Sequence, residues 1–117
     1  MATRKKLTST KDRDALLGRV RDALRGKRLV ERRMMGSICL MFHGNMLCGV
    51  KGADLMVRVG HAAYDAALQS PDVRPLVIGG KNPKGFVVVA SNGIRTSRQL
   101  ESWLLKAMRY VDSLPAK

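Results

Sequence analysis

Aromatic side chains are scarce, at 4% of the residues. Base stacking needs exposed aromatic faces, and the chain offers only Phe42, Tyr64, Phe86, Trp103 and Tyr110. Trp103 lies on an apolar helical stripe, and Phe42 and Phe86 fall in strand-like segments, so a base-stacking sheet is not expected. Cysteine is limited to Cys39 and Cys48. No CxxC and no Cys/His cluster at zinc spacing occurs, which excludes a disulfide scaffold and a zinc fold. Acidic residues number nine, and no two of them read as an acid–base couple or as oxygen ligands for a metal. The two histidines, His43 and His61, have no nucleophile and orienting acid arranged around them. No apolar run approaches the length of a membrane span. Met1-Ala2-Thr3-Arg4-Lys5-Lys6 leads into a polar stretch rather than the apolar core of a signal peptide. The expectation is a chain that is not an enzyme, takes no cofactor, metal or small-molecule substrate, and works in reducing cytoplasm, away from membranes, with free thiols.

What the chain does have is positive charge. Lys and Arg total 22 against 9 Asp and Glu, a net +13 over 117 residues. Residues 1–33 hold 12 of the cations and 4 of the acids, a net +8. Such an excess favours anionic partners, or simply solubilises a surface. Phosphate contact without sequence readout would fall to Arg4, Lys5 and Lys6 of the N-terminus and to Lys11, Arg19, Arg21 and Arg25 of the first helix. A basic, glycine-rich loop, Gly79-Gly80-Lys81-Asn82-Pro83-Lys84-Gly85, adds Lys81 and Lys84 and a run of backbone N–H groups. It lacks the GxxxxGK[ST] pattern of a phosphate-binding loop, and no helix follows it directly.

The pattern along the chain predicts one domain. Residues 1–9 read as a basic flexible arm and 10–117 as a single folded unit. Leu16, Leu17, Val20, Ala23 and Leu24 recur at helical spacing, so a helix is predicted over about 10–25, stopped by Gly26. Strands are predicted at 29–35, 37–43, 46–51 and 54–59, joined by tight turns at Gly44-Asn45 and Gly52-Ala53. A short helix follows at 61–68, then strands at 76–78 and 86–90. The last helix is the clearest element. Thr96 with Gln99 fits a capping box, and Leu100, Trp103, Leu104, Ala107, Met108 and Val111 form a full amphipathic stripe. Adjacent strands with tight turns imply an antiparallel sheet. The predicted fold is α+β: a two-layer sandwich of order α-β(3–4)-α-β(2)-α, with the helices on one face.

With a Gly44-Asn45 turn, His43 stands opposite Met46, Met41 opposite Cys48, and Cys39 opposite Val50. One face of the hairpin then carries Cys39, Met41, His43, Met46, Cys48 and Val50; the other carries Ile38, Leu40, Phe42, Leu47, Gly49 and Lys51. Both are largely apolar, yet helices cover one face only. The first set is the expected protein interface, and a homodimer is the simplest way to cover it. In this register the two cysteines are diagonal neighbours, too far apart for a disulfide.

Several segments, taken in order, resemble a known family. They are Arg33-Met34-Met35-Gly36, Met41-Phe42-His43-Gly44-Asn45-Met46-Leu47-Cys48-Gly49-Val50, Leu55-Met56-Val57-Arg58-Val59-Gly60, Val73-Arg74-Pro75-Leu76, Lys84-Gly85-Phe86-Val87-Val88-Val89, and Trp103 with Ser113-Leu114-Pro115. Their order and spacing are similar to the N-terminal domain of the TfoX (Sxy) competence-regulator family. The resemblance implies the same element order, bacterial cytoplasm and a regulatory role, and supplies no catalytic residues. Full-length members carry a second, helical domain and act with a cyclic-AMP-receptor-type activator. A stand-alone N-terminal domain is the expectation for this chain.

Overall fold

The computed structural model describes the backbone of residues 2–34 and 36–116, and the side chains of 11–34 and 36–116. The order is α1 (Ala2–Ala23), β1 (Val30–Met34), β2 (Ser37–Phe42), β3 (Asn45–Lys51), β4 (Asp54–Arg58), α2 (His61–Leu68), β5 (Val73–Pro75), β6 (Phe86–Val89), a short 3₁₀ turn (Ser91–Ile94) and α3 (Ser97–Asp112). This is the predicted α+β class with four strands before α2 and two after it.

The six strands form one antiparallel sheet in the order β1-β2-β3-β4-β6-β5. Three tight connections lay β1 to β4 side by side. The chain then crosses through α2, places β5 on the far edge and returns through β6 between β5 and β4.

All three helices pack on one face. Leu16, Leu17 and Val20 of α1 with Leu24 just past its end, Tyr64 and Ala67 of α2, and Leu100, Trp103, Leu104, Ala107 and Val111 of α3 share a core with Leu40, Leu47, Val50, Leu55, Val57, Val87 and Val89. The α3 stripe is set as its sequence predicts. Thr96 accepts from the Gln99 backbone N–H while the Gln99 side chain accepts from the Thr96 N–H, closing the capping box. Two longer ties hold the layers in place. Arg19 Nη2 donates to the Ile94 carbonyl at 2.7 Å, joining α1 to the 3₁₀ turn. Buried Asn45 donates from Nδ2 to the Pro115 carbonyl at 3.0 Å, joining the β2–β3 turn to the chain beyond α3.

Four expectations change in detail. The first helix begins at Ala2 rather than near Thr10; the side chains of residues 1–10, including Arg4, Lys5 and Lys6, lie outside the described residues. The first strand is Val30–Met34, and Met35 lies outside them too. The fifth strand is Val73–Pro75 instead of 76–78, where only a single bridge joins Ile78 and Lys81.

The β2–β3 turn is the fourth. Its two central residues are His43 and Gly44, at φ 53° and 81°, so Phe42 pairs with Asn45 and Met41 with Met46. Both positive angles match the twist of a two-residue hairpin.

Candidate interaction face

The register shifts between Leu40 and Met41: Met41 pairs with Met46, but Leu40 pairs with Cys48. Leu47 is therefore an extra residue, a β-bulge. One inserted residue reverses the facing of everything beyond it. Leu47, Cys48 and Val50 all turn into the helix-covered core and are fully buried there. The expected six-residue interface is thus split. Cys39, Met41 and Met46 lie on the helix-free face, Cys48 and Val50 belong to the core, and His43 sits in the turn with its ring stacked on Phe42 at 3.9 Å.

The helix-free face has its own apolar cluster. Cys39, Met56, Leu76 and Val88 form its floor, with Met41, Met46 and Phe86 packed on them. The strand registers align one residue from each strand into a single row: Arg32, Cys39, Gly49, Met56, Val88 and Arg74. The row begins and ends on arginine and is apolar between. Gly49 keeps its centre low. A Cβ there would stand 2.5 Å from Met56 Cε and 3.4 Å from Met46 Cε, so the two methionine methyls fold over the bare backbone. Long, flexible side chains thus cover the floor where no helix does.

Cations frame this cluster. Lys51 stands opposite Asp54, and Arg74 Nη2 binds Asp54 Oδ2 at 2.8 Å. The Arg58 guanidinium lies over the Phe86 and Tyr110 rings, 5.2 and 5.6 Å from their centroids. A hollow of about 210 Å³ opens between Lys51, Met56, Arg74, Leu76, Val77 and Val88. Exposed apolar side chains continue the face at both ends: Val30 and Met34 on β1, Val77 past β5.

The thiols are free and buried, each in a different layer. Burial raises the Cys39 pKa. Burial, and then the neighbouring Cys39, pushes the Cys48 thiol up to about 12. Neither is poised as a thiolate nucleophile at neutral pH. Among the described residues, no group of three His, Cys, Asp or Glu is placed to hold a metal ion. No helix among them is long and apolar enough to cross a membrane.

The expected anion-contact residues that the structure describes sit on α1, just past its end and on the β5–β6 connection. Arg19 is committed to the Ile94 carbonyl. Arg21 grips Glu31 of β1 through two hydrogen bonds of 2.6 and 2.7 Å, and that bond holds the Glu31 carboxyl below its usual range. Arg25, just past the end of α1, pairs with Asp22 of its last turn. Lys11, Lys81 and Lys84 are exposed, the first on α1 and the others on the β5–β6 connection. A larger groove of about 460 Å³ runs beside α3, past Asp72, Arg98, Trp103 and Lys106. Lys106 Nζ sits 4.4 Å from the Trp103 ring centroid there, and none of the expected site residues lines it.

The sequence reading missed Met56, Phe86, Val88 and the cations Arg32, Lys51, Arg58 and Arg74 as members of one face. Side chains alternate between faces along a strand, but Leu55–Val57 and Phe86–Val89 are continuous apolar runs, so the sequence does not say which of them share a face. The sequence model of one protein family, described as the TfoX N-terminal domain, matches residues 15–110. No curated protein and no solved structure matches the chain.

Proposed function

The chain belongs to the TfoX N-terminal domain family, and we propose that it is a non-enzymatic protein-interaction module whose contact surface is the helix-free face of the sheet. One observation carries the reading. A six-stranded sheet has every helix on one side, while its other side holds a second apolar cluster of Cys39, Met41, Met46, Met56, Leu76, Phe86 and Val88. The floor of this cluster is buried under its own half-exposed methionines and Phe86, and exposed Val30, Met34 and Val77 extend it at the two edges; apolar surface framed by polar groups is what binding sites between proteins look like. Methionine suits such a site because its flexible thioether re-packs against different partners. In this reading the module works in the cytoplasm and serves regulation, of transcription or of competence, as family membership suggests. Two unbridged thiols support the compartment.

Site-specific photo-crosslinking in cells tests the proposal. A benzoylphenylalanine at position 41 is expected to give discrete protein adducts, and one at exposed Leu105 of α3 is expected to give none. Equal or absent adducts at the two positions would count against an interaction face.

The net charge of +13 supports a second reading, non-specific contact with nucleic acid through Lys11, Lys81, Lys84 and the basic N-terminus. Duplex DNA and RNA titrations at two salt concentrations decide it: affinity falling steeply with salt is expected, and no binding at low salt ends it.

A further inference from the structure

The partner of the helix-free face has a chemistry that the face itself specifies. We infer that the face takes an acidic amphipathic α-helix of a partner protein, laid across the strands along the row from Arg32 to Arg74. The inference rests on the interaction-module reading above.

Three features set the occupant. The first is shape. The row crosses all six strands, a width of about 24 Å at roughly 4.8 Å per strand. A helix of about 16 residues spans that distance. Helices are also what the opposite face of this sheet already accepts, and a second helical layer would complete the packing.

The second feature is charge. The face carries Arg32, Lys51, Arg58 and Arg74 against the single carboxylate of Asp54. Arg32 and Arg74 stand at opposite ends of the apolar row; Arg74 already holds Asp54, so a carboxylate of a bound helix would meet Arg32 directly at one end and share Arg74 with Asp54 at the other. Lys51 and Arg58 close opposite ends of their strands, flanking the stripe on its two long sides. An apolar stripe with acidic flanks matches this frame, and complementary charge both steers encounter and rejects wrong partners.

The third feature is what the face disfavours. A second copy docked face to face would oppose two sets of these cations, within chains of net +13 each. Single-stranded nucleic acid would match the cations but not the Met and Val floor. The one aromatic ring of this cluster, Phe86, already has Arg58 over it, which leaves no free platform for a base.

The test uses two labelled 18-residue helical peptides and the full chain. Both peptides have leucine at i, i+3, i+4 and i+7 spacing; one carries glutamate on its polar face and the other lysine. By fluorescence anisotropy the glutamate peptide is expected to bind at least tenfold tighter than the lysine peptide. Arg32→Glu with Lys51→Glu is expected to reverse that preference. Met41→Glu is expected to weaken the glutamate peptide at least tenfold, while Leu105→Glu leaves it unchanged. Thermal unfolding by circular dichroism confirms that each variant is folded. No binding of the glutamate peptide, equal binding of both peptides, or a preference that survives charge reversal overturns the inference. Light scattering and a single-stranded RNA titration separate the two levels of the argument. A dimer abolished by Met41→Glu overturns the acidic helix but keeps the interaction face. RNA binding abolished by Arg32→Glu with Lys51→Glu overturns both.

Discussion

The two faces of the sheet are built from the same strands and solve burial in opposite ways. The covered face is lined by Leu40, Leu47, Val50, Leu55, Val57, Val87 and Val89, compact side chains locked under three helices. The open face relies on Met41, Met46, Met56 and Phe86, bordered by arginine and lysine. Stiff, branched residues fill a fixed space well, so they suit a permanent contact. Methionine fills irregular space and re-packs cheaply, so it suits a contact that is made and broken. On the proposed reading, the difference leaves stability to one face and recognition to the other.

Substitutions on the two faces should therefore differ in kind. The largest effect is expected from Leu47→Ala in the covered core. Removing this fully buried side chain should cost about 3 kcal/mol in urea denaturation, whereas Met46→Ala beside it, at a half-buried position, should cost distinctly less. Equal costs would erase the distinction between the faces.

Next comes Gly60→Ala, at the start of α2. Its φ is 87° and a Cβ there would collide with the Tyr110 ring, so a loss of about 2 kcal/mol is expected, read as a lowered Tm.

A smaller effect follows from the buried thiol of Cys48. Its folded pKa of about 12 lies above the unfolded value near 9. The unfolded chain therefore loses that proton first, and stability should fall as pH rises above about 9. Cys48→Ala lowers stability overall but should remove the part of the alkaline decline due to this thiol; an unchanged pH slope would show that the thiol is not buried as described.

The smallest is the Arg21–Glu31 pair, whose members are partly exposed. Glu31→Gln should cost at most about 1 kcal/mol. Because the folded carboxyl titrates below its usual value, the pair contributes above the unfolded pKa and is lost as pH falls through the folded one. The variant should lack that acid-side loss.

Much of the fold was legible because its signals are local. The α3 stripe from Leu100 to Val111 and its Thr96–Gln99 cap lie within one segment, and the structure realises both. The same holds for α2 and for the strand meander. The open face was legible only in part, since its membership turns on one inserted residue. Leu47 as a bulge leaves no composition signal, yet it sends Cys48 and Val50 to the core and keeps Met41 and Met46 outside. The turn misled for a similar reason: Gly44-Asn45 is a good hairpin pair, but so is His43-Gly44, and the Asn45 bond to the Pro115 carbonyl 70 residues away is a contact that spacing cannot show. The cations of α1 are the third case. Arg19, Arg21 and Arg25 look alike on a solvent-side helix pattern, but only the tertiary fold reveals that Arg19 meets the Ile94 carbonyl and Arg21 meets Glu31.

Methionine oxidation footprinting tests the central claim most directly, comparing the purified chain with the chain in its native cells. Brief radical exposure followed by mass spectrometry reads Met41 and Met46 on the open face against Met108 on the helix side. The account predicts that Met41 and Met46 oxidise readily in the purified chain and are protected several-fold in cells, with Met108 unchanged. Identical oxidation of all three in both settings would contradict it.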